Sequence, residues 1–166
     1  VIRARVATST RSVVGAVTNH GRLLRVSVVD LSALAPSAGS SSVAGGTRLA
    51  DLIALEKDEF VVGLTRVSAD DFKAGGGIAL GTARGVVKRV NSDFPKADGF
   101  NIISLKDGDQ VVAAVDIVDD SDVDLAFITA HGHLLHFPSS GVRPQGRAGG
   151  GVAGIKLADG DQVVAF

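Results

Sequence analysis

An eight-residue pattern occurs three times in this chain, and repetition on that scale constrains the fold more than any other feature. The copies are Thr18-Asn19-His20-Gly21-Arg22-Leu23-Leu24-Arg25, Thr82-Ala83-Arg84-Gly85-Val86-Val87-Lys88-Arg89 and Thr129-Ala130-His131-Gly132-His133-Leu134-Leu135-His136. Each reads Thr-x-x-Gly-x-aliphatic-x-cation and follows an apolar run, so each predicts two strands joined by a tight turn whose glycine supplies positive φ. A second element follows each hairpin and ends in Val61-Val62, Val111-Val112 and Val163-Val164. The Asp-Gly of the later two copies, Asp107-Gly108 and Asp159-Gly160, is a hairpin signal between apolar runs. A unit recurring at ~40–50 residues marks a propeller or solenoid, because one small sheet cannot cover both of its faces and its neighbours must.

The chain is therefore expected to be all-β, built of about three propeller-like blades of antiparallel strands that form part of a larger ring. It reads as a single repeat domain over 1–166, with blades at about 1–64, 65–117 and 118–166. Composition agrees: the apolar residues are mostly Val, Leu, Ile and Ala, there are 21 glycines, and all 7 aromatics are Phe. The first unit is longer because the Ser- and Gly-rich stretch from Pro36 to Gly46 intervenes, which predicts a surface excursion.

The chain starts at Val1 and reads as a piece of a longer protein. No apolar stretch is long enough to span a bilayer and no leader is visible, which excludes a membrane partner from the reading. The absence of cysteine removes disulfides, thiolate metal sites and thiol nucleophiles, and suits a reducing cytoplasm. Net charge is only -1, yet it is sorted along the chain. Residues 1–50 hold six Lys or Arg against one acid, Asp30, whereas residues 101–166 hold four against nine acids. A basic face on a near-neutral protein is compatible with that distribution, and so is an ordinary solvated surface.

The repeats resemble the C-terminal β-pinwheel domain of bacterial type IIA topoisomerase A subunits, those of DNA gyrase and topoisomerase IV. The resemblance runs nearly end to end. Its most specific parts are the hairpin Gly81 to Arg89, the connector Gly141-Val142-Arg143-Pro144-Gln145-Gly146-Arg147, which continues through Gly151 to Leu157, and the Gly-Asp-x-Val-Val ending. The gyrase heptad Gln-Arg-Arg-Gly-Gly-Lys-Gly is absent, and Gln145 to Gly151 is the nearest string. The resemblance implies a non-catalytic module that bends or wraps duplex DNA along a basic outer rim and delivers it to a separate cleavage core. It implies as partners the ATPase subunit of an ATP-dependent type II enzyme and the remaining topoisomerase A subunit, in a cytoplasmic, nucleoid-associated setting.

Wrapping needs cations spread along a curved path, since affinity for duplex comes mainly from phosphate contacts and counterion release. The residues expected to contact DNA are Arg22, Arg25, Arg84, Lys88, Arg89, His131, His136, Arg143 and Arg147. Two other classes stay open beside this one: a propeller that binds proteins through its loops, and a structural blade fragment with little DNA affinity.

Other chemistries fit less well, and no cofactor or metal is expected. His131, His133 and His136 have a spacing compatible with an imidazole metal site. His136 also occupies the register of Arg25 and Arg89, and His131 that of Arg84, so the cluster reads as a third cationic copy whose protonation near pH 6.5 would strengthen DNA binding. Asp120-x-Asp122-x-Asp124 has calcium-loop spacing but lacks the turn glycine and the closing glutamate. Gly149 to Gly154 resembles a phosphate loop without its lysine. Tyrosine is absent, and no nucleophile elbow or carboxylate pair is present, so no enzymatic activity is expected of these residues.

Overall fold

The computed structural model describes residues 3–33, 46–119 and 123–166. Most of the predicted surface excursion, Pro36 to Gly45, lies outside the described residues, as do Asp120 and Asp122 of the calcium-like spacing. The described residues form strands β1 (Val13–Thr18), β2 (Arg22–Ser27), β3 (Val61–Arg66), β4 (Gly77–Thr82), β5 (Val86–Asn91), β6 (Gly99–Asn101) and β7 (Val111–Ile117). They continue with β8 (Asp124–Thr129), β9 (Leu134–Pro138), β10 (Pro144–Gln145), β11 (Val152–Ala153) and β12 (Val163–Ala165). Short 3-10 turns are the only helical segments among the described residues, and none is long enough to cross a membrane.

The repeated motif has a direct structural meaning. In each copy the glycine N–H donates to the threonine carbonyl at 3.0 Å, and the glycine takes a φ of 75°, 80° or 81°. The buried threonine hydroxyl then accepts the N–H of the residue after the glycine, at 3.3 Å in Thr18, 3.1 Å in Thr82 and 3.2 Å in Thr129. The turn thus satisfies its own backbone groups, which is why Thr and Gly hold fixed places. A second turn closes against it: Asn19, Ala83 and Ala130 donate N–H to the carbonyls of Phe60, Gln110 and Gln162.

Three sheets result. The first is ordered β3-β1-β2-β6, the second β10-β5-β4-β7 with β11 also on β5, and the third β12-β8-β9. Their inner strands β3, β7 and β12 lie beside one another, so the opposite edges face outward. The outer strands do not belong to the unit they complete. Strand β6, from the second repeat, pairs with β2 of the first, and β10 and β11, from the third repeat, pair with β5 of the second. The unit boundaries read from the sequence therefore do not coincide with the sheets. The second and third repeats each donate their connector to the previous sheet.

Backbone bonds repeat this coupling near the axis, where Val111 donates to the Asn19 carbonyl and Val163 to the Ala83 carbonyl, both at 2.9 Å. Apolar side chains fill the gaps between sheets: Val17, Leu23, Ile78, Ile102 and Ile103 between the first two, and Val87, Leu125, Phe127 and Val163 between the second and third. The far face of the first sheet is closed by Val6, Leu31, Leu49, Leu52 and Ile53 against Val14, Ala16, Leu24 and Val26.

Candidate nucleic-acid interface

The cations expected to form the rim divide into three groups by what surrounds them. The first occupies the fourth position after each hairpin glycine. Arg25 donates to the carbonyls of Ala97 (3.0 Å) and Pro95 (2.6 Å), in the connector of the second repeat. Arg89 is buried and donates to Ser139 (3.0 Å) and Val142 (3.3 Å), in the connector of the third repeat, and to Gly75 (2.9 Å). Both guanidiniums clamp the incoming connector by its backbone. His136 holds the same place in the third sheet, where its Nε2 meets Asp124 Oδ2 at 2.7 Å.

Lys88, also expected at the surface, is 1% exposed. Its ammonium donates to the carbonyls of Ile102 (2.8 Å), Arg147 (2.8 Å) and Gly149 (2.6 Å), so all three N–H groups are used inside the protein. Burial pushes its pKa down to about 8. Lys88 and Arg89 are thus corrected from rim contacts to internal ties between repeats. A sequence places a cation on a strand face but does not show that a connector from 50 residues away will cover it.

The second group lies at the hairpin turns and faces carboxylates. Arg22 bridges Glu59 (2.8 Å) and Glu56 (3.1 Å), and His20 approaches Glu56 at 3.6 Å. Burial would raise the Glu59 pKa, but the Glu56 N–H, the Thr18 hydroxyl (2.6 Å) and Arg22 together leave it lowered. Arg84 is exposed, with its backbone N–H on Asp109 Oδ1 at 3.0 Å. His131 and His133 turn toward Asp161, at 3.9 and 3.4 Å from its Oδ2. The three histidines of the third copy therefore do not converge, because His136 points to a different acid.

The third group is exposed on the outer edge. Arg143 and Arg147 flank β10, and neither has a carboxylate partner among the described residues. Arg147 lies over the Phe100 ring of β6 at 5.6 Å, and Arg25 lies over the same ring at 5.9 Å. Lys96, just before β6, shares a surface hollow with Arg25 and Arg11. The repeat alignment could not single out Lys96 or Arg11, which fall in connectors outside the motif. The strand exchange gathers Arg11, Arg25 and Lys96 around that hollow and Arg25 and Arg147 over Phe100, and no local sequence signal marks it.

This geometry has counterparts among known proteins. A family model described as DNA gyrase C-terminal domain, beta-propeller, matches residues 16–68 and 124–166, together more than half of the chain. The DNA gyrase A protein of Helicobacter pylori is 36% identical over 151 residues, which is 89% of this chain and 17% of that protein. Its Salmonella typhimurium counterpart is 33% identical over the same length, covering 89% of this chain and 16% of the relative. The chain spans about a sixth of the length of these curated relatives. Among solved structures, the C-terminal domain of DNA topoisomerase IV superposes with a TM-score of 0.74 at 29% identity, over 94% of this chain and 46% of that one. A DNA gyrase A C-terminal domain superposes at 0.68 and 25% identity, over 95% and 47%.

Proposed function

The chain belongs to the DNA gyrase C-terminal domain, beta-propeller family, and from that premise we propose that it is a non-catalytic module of a type II topoisomerase that binds duplex DNA along the outer edges of its sheets and bends or wraps it. The observation that carries this reading is the third group of cations. Arg143, Arg147 and Lys96 lie on or beside the exchanged edge strands, on the side of the sheets away from the axis, next to Arg25, whose guanidinium is bonded to the Ala97 and Pro95 carbonyls. Arg11 and Arg84 extend the basic surface on the first and second sheets.

Phosphate contacts of this kind carry no base information, so binding should be insensitive to sequence and steeply dependent on salt. The histidines add charge only when protonated, and two of them already face Asp161. Delivery of the bound duplex to a cleavage core, and association with the ATPase subunit, belong to the same reading. So does a cytoplasmic, nucleoid-associated location.

A gel-shift titration of linear duplex at two salt concentrations tests it. Changing Lys96, Arg143 and Arg147 together to Ala should weaken binding to unrelated sequences equally. The slope of log affinity against log salt should flatten by roughly two to three units. Absence of binding by the unmodified protein at low salt would end the DNA reading and leave the protein-binding propeller and the structural blade fragment.

A further inference from the structure

Phe100, on the exchanged strand β6, joins the core of the molecule to its outer edge. Its half-buried ring packs against the core between the first two sheets and stacks on Phe94, with centroids 5.9 Å apart and an interplanar angle of 30°. Phe94 in turn meets the buried ring of Phe72 edge-on at 6.3 Å. A run of three rings therefore leads from the interior to the rim. Two guanidiniums lie over the last ring, Arg147 at 5.6 Å and Arg25 at 5.9 Å.

The two arginines differ in what else holds them. Arg25 gives its donors to the Ala97 and Pro95 carbonyls and serves the clamp on the connector. Arg147 is exposed, and its guanidinium donates no hydrogen bond to the described residues. Its backbone, by contrast, is fixed. The Arg147 and Gly149 carbonyls accept the Lys88 ammonium at 2.8 and 2.6 Å, and the Gly149 N–H closes the turn on the Gly146 carbonyl at 3.1 Å. The Gly149 carbonyl also accepts the Ser104 N–H at 3.2 Å. A pinned turn at one end and an aromatic ring at the other thus hold a side chain whose charged head is left for an outside acceptor.

We propose that Phe100 is a positioning residue for DNA: its ring holds the Arg147 guanidinium at the outer edge, ready to donate to a phosphate of the duplex. This rests on the DNA reading above. A guanidinium resting on a ring through its face keeps its in-plane N–H groups for bidentate bonds to phosphate oxygens. A long side chain that is already ordered also loses less freedom on contact, which is worth roughly two- to tenfold in affinity. The device works across repeats. Phe100 comes with the connector of the second and Arg147 with that of the third, so the contact exists only when both connectors are seated.

Titrations of the intact chain with linear duplex over a series of salt concentrations test this role. Phe100→Leu keeps an apolar side chain but removes the ring face; it should weaken binding roughly two- to tenfold with an unchanged salt slope, since no charge is lost. Phe100→Tyr restores the ring and should bind as the unmodified chain does. Arg147→Ala should flatten the slope by about one unit, and adding Phe100→Leu to it should cost nothing further. Arg147→Lys changes only an exposed side chain, keeping the charge and losing the stacking plane, so it should lose affinity as Phe100→Leu does. That variant carries the test if circular dichroism shows Phe100→Leu to be unfolded. Unchanged affinity in Arg147→Lys or in folded Phe100→Leu overturns the positioning role. So does an equal loss in Phe100→Tyr, or a Phe100→Leu loss that persists beside Arg147→Ala. Each of these results requires that the unmodified chain binds duplex; if it does not at low salt, the DNA reading itself fails and the positioning role with it.

Discussion

Asp58 is the single non-glycine residue with positive φ among the described residues, at 58°. It stands where the later repeats have Gly108 at 72° and Gly160 at 76°. The same turn is thus built three times, twice with the residue that adopts this conformation freely. An L side chain in the left-handed region costs roughly 1 kcal/mol, partly offset in Asp by its tolerance of that region, while Gly costs more to order on folding. Asp58→Gly should therefore stabilise the protein by up to about 1 kcal/mol, read from the urea midpoint. Lys88 makes a different residue-scale prediction. With its folded pKa lowered to about 8 from 10.5, the unfolded chain binds more protons between those values. Stability should rise with pH across that window and be flat below it. The chain has no Cys and no Tyr to titrate there. Urea midpoints at pH 7.5, 9 and 10.5 should climb relative to those of Lys88→Met. A constant difference would mean that the three carbonyls compensate the ammonium fully.

At the level of elements, the hairpins were legible in the sequence because everything they need is local. Thr, Gly and the flanking aliphatics specify turn, register and face within eight residues. The exchanged strands were not legible. Strand β6 has three residues and β10 and β11 have two each, too short for any alternation to show, and their partners lie in the previous unit. That missing information is what misplaced Lys88 and Arg89, since a cation on an outer strand is a surface residue only if no connector crosses it. Stability measurements separate the two kinds of cation. Arg89→Met removes the guanidinium donor from the Ser139, Val142 and Gly75 carbonyls, of which Ser139 keeps the Val142 N–H, and should cost about 2–4 kcal/mol. Arg143→Ala, on the exposed flank of β10, should change stability by less than about 0.5 kcal/mol and act on DNA affinity instead. Equal losses of stability in both variants would contradict this division.

At the scale of the molecule, the first two sheets are each finished by strands from the next repeat, and the third, β12-β8-β9, shows what that completion means energetically. Leu23 on β2 and Val87 on β5, each covered by an exchanged strand, are 0% and 1% exposed, whereas Leu134 in the same position on β9 is 66% exposed. A Cβ added to Gly21 would meet Ile103, and one added to Gly85 would meet Ile155, but Gly132 has nothing within 4 Å. One sequence position therefore carries a core residue twice and a surface residue once, which a pattern read along the chain cannot distinguish because the aliphatic is present in all three copies. Deleting the buried one removes transfer free energy and opens a cavity between sheets, so Leu23→Ala should cost about 2–5 kcal/mol. Leu134→Ala loses neither, and its change should stay within about 0.5 kcal/mol. Paired urea denaturation of the two variants measures the difference directly. A cost for Leu134→Ala comparable to that of Leu23→Ala would mean that this face is covered in solution, and the loss should then depend on protein concentration if a second copy covers it.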